Sequence, residues 1–239
     1  AFAILRITYY IFGTSFLRGT PAQYMVLGLV GISILFCSSN AVKEQHLKRR
    51  FAYSTASNLS YILFGFLLMT PMGMIGGLTH MVFHGIMKIS LFFAVGAIMH
   101  QTGKHYIYEI AGLAKKMPVV FGCMSVAGIA LIGIPPLTGF ISKWNIATAA
   151  VDAYQKGNRL APYLILILVL SAFLTAIYIF TILGKAYLVE PTDDDGKTNC
   201  DPGWQMKVPM VLFAILIVVF GLYSKPLMTF FTWVANGLL

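Results

Sequence analysis

The stretch "LTHMVFHGIMKISLFFAVGAIMH", residues 78–100, carries three ionisable groups, His80, His84 and Lys88, in an otherwise uncharged first half. A helix needs about 20 predominantly apolar residues to cross the roughly 30 Å hydrocarbon core of a bilayer. The stretch therefore predicts a transmembrane helix over 73–100. The three ionisable groups inside it need an explanation of their own.

The composition of the chain favours lipid as its solvent. The 239 residues are 58% hydrophobic and 10% charged, with a mean hydropathy of +0.80. A soluble domain has about 25% charged residues. The net charge of +9 would suit nucleic acid. However, the basic residues lie in loops between apolar runs, as in polytopic membrane proteins, so no nucleic-acid partner is expected.

Six further apolar segments accompany this one, and in lipid a helix pairs all of its own backbone groups. The segments run approximately over 1–12, 23–42, 51–69, 73–100, 118–151, 162–189 and 207–236. We predict an all-α polytopic membrane protein with about seven transmembrane helices in a single membrane domain, 1–239. Residues 1–151 hold the polar motifs, and 152–239 form the C-terminal helices. The first segment is too short to span and Ala1 is not Met, so we expect the C-terminal part of a longer protein.

Basic residues are unevenly divided between the two sides that alternating helices define. One side holds the loops 43–50, 101–117 and 190–206. Its eight basic residues are Lys43, Lys48, Arg49, Arg50, Lys104, Lys115, Lys116 and Lys197. The other side holds the loops 13–22, 70–72 and 152–161, with only Arg18, Lys156 and Arg159. This excess predicts that the first side faces the cytoplasm of a cell (inner) membrane and that the C-terminus is outside. The acidic run "TDDDGKTNCD", residues 192–201, is expected to be a solvated loop.

The sequence "GIPPLTGFISK", residues 133–143, interrupts segment 118–151. Pro135 and Pro136 remove two backbone donors, and the first ring disfavours helical geometry at the preceding residue. Non-helical backbone is tolerated at membrane depth where protein or a water-filled cavity satisfies it, and transporters place such breaks at ion sites. We predict a broken helix at Pro135–Pro136, with a simple kink as the alternative. Lys143 follows the break within apolar sequence.

The spacing of His80, His84 and Lys88 places them on one side of a helix. Four residues turn a helix by about 400°, so the three form a stripe about 12 Å long. All eight acidic residues lie in loops or at segment ends, so none is placed to pair with Lys88. A lysine buried without an anion, together with histidines, suits groups that gain and lose protons. Ser57 and Tyr61, four residues apart in the preceding segment, could add hydroxyl groups.

Several other interpretations are open. HxxxH can bind a metal, but no Cys or acid stands at ligand spacing, and no metal is predicted. The histidines could instead serve helix packing alone. Lys185 and Lys225 lie near segment ends and can extend to the membrane interface. Arg6 lies inside the first segment and could support proton transfer along the stripe. The three cysteines form no CxxC. No GxGxxG, cysteine cluster or haem pattern occurs, so no cofactor is predicted in this chain.

Several of these stretches resemble one protein family. They are "LKRRFAYSTASNLSYILFG" (47–65), the stretch at 78–100, "GLAKKMP" (112–118) and "IGIPPLTGFISKW" (132–144). Together they resemble the antiporter-like membrane subunits shared by respiratory complex I, the Mrp sodium/proton antiporters and membrane-bound hydrogenases. The motif "AYSTASNLSYILFG" looks closest to the Mrp D-type subunits and their hydrogenase relatives. The resemblance runs in order up to Lys143 and after residue 150 rests on the hydrophobic pattern.

The resemblance implies a fold of fourteen helices in two inverted repeats, of which this chain would cover the eighth to the fourteenth helix. It implies that Lys88, His80, His84 and Lys143 carry protons, with Lys48 near their cytoplasmic end. The glutamate–lysine pair of the family's first repeat is not found here, so the N-terminal half is an implied partner, together with other membrane subunits and lipid.

Three functions follow as hypotheses. The first is proton or Na⁺/H⁺ translocation in a multisubunit Mrp-type antiporter. The second is the pump module of a redox complex, either a hydrogenase or a complex I relative, whose catalytic centre lies in other subunits. The third is a structural subunit. The sequence leaves open whether the chain belongs to an enzyme and whether Na⁺ is moved; the lack of an intramembrane carboxylate favours H⁺.

Overall fold

The computed structural model describes residues 1–190 and 200–238, which form a helical bundle without strands in that part of the chain. Lys197 and most of the acidic run 192–201 lie outside the described residues. The helices are α1 (Phe2–Arg6), continued by a π-helical turn (Ile7–Phe12), α2 (Thr14–Leu17), α3 (Pro21–Lys43), α4 (Leu47–Leu67) and α5 (Pro71–Thr102). After a 3₁₀ turn (Ile107–Ile110) come α6 (Leu113–Lys116), α7 (Pro118–Ile132), α8 (Thr138–Gln155), α9 (Ala161–Leu188), α10 (Trp204–Leu222) and α11 (Lys225–Leu238).

Four of the described helices, α3, α5, α9 and α10, are long and apolar enough to cross a membrane. Helix α4 is long enough but more polar, and its polar residues Ser54, Ser57 and Asn58 are buried among the other helices. Helix α7 is apolar but short, as expected of one half of a broken span. The all-α membrane fold predicted from the sequence is confirmed.

Helix α5 is the centre of the bundle and contacts α4, α7, α8, α10 and α11. Its start is fixed by Thr70, whose hydroxyl accepts a hydrogen bond from the Gly73 amide (3.0 Å), and by Pro71 in the first turn. It ends at Gly103, which has left-handed backbone angles. Gly76 lets the backbone of α8 approach closely, since a Cβ there would lie 3.0 Å from the Ile146 amide nitrogen.

The predicted broken helix is present. Helix α7 ends at Ile132, Gly133 follows with φ +99°, the Pro135–Pro136 peptide is cis, and α8 begins at Thr138. The start of α8 packs directly on the end of α7. A Cβ at Gly139 would overlap the carbonyl oxygen of Ala130.

We expect Gly139→Ala to destabilise the subunit by roughly 1–3 kcal/mol, because the two halves of the broken helix would have to separate. The measurement is the thermal stability of the detergent-solubilised complex. Gly122→Ala on α7 is the matched control, since a Cβ there meets no atom within 4 Å. Equal stability of the two variants would contradict this account of the break.

The prediction of one uninterrupted segment over 207–236 is wrong. Helix α10 ends at Leu222 and α11 begins at Lys225. Pro226 explains the interruption, because a continuous helix would lose the hydrogen bond to the Leu222 carbonyl and clash with it. The end of α10 lies against the first break: a Cβ at Gly221 would be 2.5 Å from the carbonyl oxygen of Pro136.

The connecting segments group on two sides as the alternation of helices predicts. On one side, the Leu47 amide donates to the His105 carbonyl (3.0 Å) and the Cys200 amide to that of Lys116 (2.7 Å). On the other, the Arg18 side chain donates to the Met69 carbonyl. We name the first side the basic side; that it faces the cytoplasm stays a prediction.

The basic residues assigned to the loop 43–50 lie at the ends of α3 and α4, and one of them is buried. Arg50 lies in the first turn of α4 and is 1% exposed. Its neighbours Leu47, Phe51 and Ser54 are also buried. The spacing i, i+3, i+4, i+7 of these four residues defines one helix face, so Arg50 belongs to the inward face of α4 rather than to a solvated loop.

Candidate functional site

The stripe on α5 faces α4 and α8, and His80 connects all three helices. Its Nδ1 lies 2.9 Å from the Ser142 hydroxyl on α8, and its Nε2 lies 3.2 Å from the side-chain oxygen of Asn58 on α4. The Asn58 amide nitrogen donates to the Ser54 carbonyl (2.8 Å), so the amide oxygen faces His80. A neutral His80 therefore donates from Nε2 and accepts at Nδ1.

His84 follows one turn later, and its ring stacks on that of His80 with centroids 5.8 Å apart. It is buried, and neither ring nitrogen has a hydrogen bond to a described protein group. Tyr61 on α4 packs edge-on against His80 (5.6 Å between ring centroids), and its buried hydroxyl lies near those of Ser57 and Ser171. Buried polar groups are normally hydrogen-bonded, so His84 is one of the exceptions among the described residues.

Lys143 is held by the broken helix itself. Its Nζ donates to the carbonyls of Leu131 (2.8 Å) and Ile132 (3.0 Å) at the end of α7. These carbonyls have no partner within the helix because α7 stops there, and they form the negative end of its dipole. The same Nζ lies 5.5 Å from the Tyr61 ring centroid, where the ring face attracts a cation. Lys143 is 6% exposed.

Lys88, on α5, has a similar environment, which the backbone and side chain of a residue on α4 provide. Its Nζ donates to the Phe51 carbonyl (3.0 Å) and lies 5.2 Å from the centre of the Phe51 ring. The side chain is 5% exposed. None of the described hydrogen bonds of Lys88 or Lys143 goes to a carboxylate. Carbonyl groups and aromatic faces thus stabilise both cations without a fixed anion.

The buried groups follow one another in a line, within which His84 contacts His80 and His80 contacts Ser142. It begins at Lys88, passes His84 and His80, and reaches Ser142, the residue before Lys143. Each of these side chains can donate or accept a hydrogen bond. Four of the groups exist with and without a proton: Lys88, His84, His80 and Lys143. The arrangement is chemically suited to passing protons over the length of the stripe.

Three predicted site residues lie outside this line. Lys48 is exposed at the start of α4, and Arg6 is exposed on α1. Ser57 is buried but faces α3 and α9, where its hydroxyl is 2.8 Å from that of Ser38. Pro135 and Pro136 form the break beside Lys143. Within the described residues, no group of three His, Cys, Asp or Glu side chains could hold a metal.

Three buried polar residues were not predicted from the sequence: Asn58, Ser142 and Arg50. A signal existed for Asn58, which lies one turn after Ser54 on the buried face of α4. Ser142 precedes Lys143, but its contact with His80 joins residues 62 positions apart. Nothing in the local sequence indicates that pairing.

The fold and this buried line define a polytopic membrane protein built around a broken helix and a row of basic groups. The chain belongs to the family described as "NADH:quinone oxidoreductase/Mrp antiporter, TM", which matches residues 1–175. The match extends beyond Trp144, where the last motif quoted from the sequence ends.

Relatives and solved structures agree with this membership. The chain is 30% identical over 241 residues to NADH-quinone oxidoreductase subunit N of Desulforudis audaxviator, covering 96% of this chain and 46% of that protein. It is 30% identical to F(420)H(2) dehydrogenase subunit M of Methanosarcina mazei, covering 88% and 41%. A chain of the Mrp complex from Dietzia superposes with a TM-score of 0.88 at 25% identity, covering 99% of this chain and 50% of that one. This chain thus spans about half the length of these relatives.

Proposed function

We propose that this chain translocates protons as part of an antiporter-like membrane subunit, and that the buried line from Lys88 to Lys143 is its proton path. The observation that carries the proposal is the hydrogen bond between the Ser142 hydroxyl and Nδ1 of His80. It joins the stripe on α5 to the helix half that bears Lys143. Packing alone does not require four basic groups in one buried line.

The proposed path starts at Lys88, the basic group nearest the basic side. A proton passes from Lys88 to His84 and His80, and through Ser142 to the neighbourhood of Lys143. Lys143 then holds the charge against the carbonyl end of α7. A second cation in the line is repelled at this short range in low dielectric, so arrival of one proton favours release of another.

We further propose that the complex is a multisubunit Mrp-type cation/proton antiporter, with the remaining half of the subunit and other membrane subunits as partners. The similarity to the Dietzia Mrp complex over 99% of this chain supports it. The alternative is the ion-pumping module of a redox complex, which the similarity to a NADH-quinone oxidoreductase subunit and an F(420)H(2) dehydrogenase subunit favours. In either case we propose a location in the cell membrane with the C-terminus outside.

The experiment is purification of the native complex, with its subunits identified and its iron and nickel measured. Reconstituted vesicles are then assayed for driven proton movement. Na⁺/H⁺ exchange by a metal-free complex supports the antiporter; proton movement driven by electron transfer supports the redox module. If vesicles contain the assembled complex but move no protons with either a Na⁺ gradient or electron transfer, proton translocation is refuted.

A further inference from the structure

A second polar column runs beside the proton line, between α3, α4 and α9. Ser38, Ser57 and Ser171 come from the three helices and form one hydroxyl cluster. Ser38 is 2.8 Å from Ser57 and in contact with Ser171, while Ser57 and Ser171 are 3.4 Å apart. All three are buried. Hydroxyl groups donate and accept at once, so such a cluster can conduct a proton.

The column continues toward the basic side through a second hydroxyl pair. The Ser54 hydroxyl lies 2.5 Å from that of Tyr178. Ser54 and Ser57 are less than one turn apart on α4, and Ser171 and Tyr178 are two turns apart on α9. Thr175 lies between the latter two, and its hydroxyl donates to the Ser171 carbonyl (2.8 Å). The residues that carry these hydroxyls follow one another at about one helical turn along α4 and α9, so a continuous route requires water molecules between them.

The inner end of the column is Tyr61. Its ring contacts both His80 and Lys143, and it lies one turn after Ser57 on α4. Its hydroxyl is completely buried and lies near the hydroxyls of Ser57 and Ser171. The column therefore leads to the same centre as the stripe without passing Lys88.

The outer end of the column is closed by Arg50. Its guanidinium donates to the carbonyls of Glu44 (2.8 Å), Val42 (3.0 Å) and Tyr178 (3.1 Å). The first two are carbonyls at the end of α3, and the third lies on α9. Arg50 thus fixes a permanent charge where all three helices of the column meet, one turn before Ser54. Arginine is always charged and cannot relay a proton.

We propose that the hydroxyl column is a second proton route to the centre and that the buried charge of Arg50 keeps it shut. A fixed cation in a narrow polar passage repels incoming cations, as arginine does in water-selective channels. Protons are thereby directed through Lys88, whose charge can change. The proposal rests on the proposed function, because a closed side route matters only in a subunit that moves protons.

The test measures passive proton flux, without any driving reaction, into vesicles that contain the intact complex and an internal pH-sensitive dye. Arg50→Gln should raise the flux at least about tenfold by removing the charge that repels cations. Arg50→Lys keeps a cation that can also release its proton, so its flux should lie between those of the wild type and Arg50→Gln. Leaks of equal size in both variants would mean that Arg50 only holds the helices together, which overturns the proposal.

Two further variants identify the route. Adding Ser171→Ala to Arg50→Gln should restore a low flux, because it removes a hydroxyl from the column. Adding Lys88→Ala should leave the leak unchanged, because the column bypasses Lys88. A leak that depends on Lys88 and is insensitive to Ser171 would contradict the proposal.

A variant that keeps Arg50 covers the case in which Arg50→Gln fails to assemble. Ser54→Asp places a carboxylate four residues after Arg50, where it can neutralise the guanidinium, and should also open the leak. Ser54→Asn is the uncharged control and should stay tight. A passive proton flux as low as that of the wild type with Ser54→Asp would overturn the proposal. Driven proton transport by the wild type tests the translocation function separately.

Discussion

Lys143→Ala should reduce driven proton transport by roughly a hundredfold, the lower end of what a positioned proton-transfer group contributes. The substitution removes the group that receives protons from the His80–Ser142 end of the line. It also leaves the Leu131 and Ile132 carbonyls without their donor, so loss of transport alone could reflect a disturbed break.

Lys143→Arg separates the two effects. Arginine keeps a cation and several donors for the carbonyls at the end of α7, but it does not release its proton. We expect an assembled complex with wild-type thermal stability and no driven transport, measured in reconstituted vesicles. Transport at the wild-type rate with arginine at this position would refute the role of Lys143 as a proton carrier.

Lys88→Ala should lower driven transport to a similar degree, because the line then begins without a group that accepts protons from the basic side. Its effect on assembly should be smaller than that of Lys143→Ala. Lys88 donates to one carbonyl, that of Phe51, which already accepts from the Thr55 side chain (2.8 Å).

The matched control for Lys88→Ala is Lys185→Ala. Lys185 lies in the last turn of α9, toward the basic side and away from the buried line. Vesicles with this variant should transport as the wild type does. Equal losses from both substitutions would indicate a general effect of net charge, and wild-type transport by Lys88→Ala would remove Lys88 from the path.

The sequence predicted the stripe because helix geometry is local. The four-residue spacing of His80, His84 and Lys88 is sufficient to place them on one face once the segment is known to be a helix. The break at Pro135–Pro136 was predictable for the same reason, since proline acts on its own turn of helix. The membrane environment followed from composition.

The partners of these groups depended on long-range packing and were not predictable. His80 meets Ser142 because Gly76 and Gly139 let α8 approach α5 and α7 closely, and no local rule gives that docking. The role of Arg50 was obscured by its two basic neighbours, which made it look like part of a solvated loop. The interruption after Leu222 had a visible signal in Pro226, but the apolar run around it suggested a continuous span.

The two stacked histidines differ in their freedom to rotate. His80 would break bonds at both nitrogens if its ring turned, whereas His84 has no described protein hydrogen bond to lose. A histidine that receives a proton on one nitrogen and passes it on from the other must reorient or exchange its bonding partners. His84 is therefore the residue that reorients, and its side-chain dynamics would limit the rate of proton transfer along the whole line.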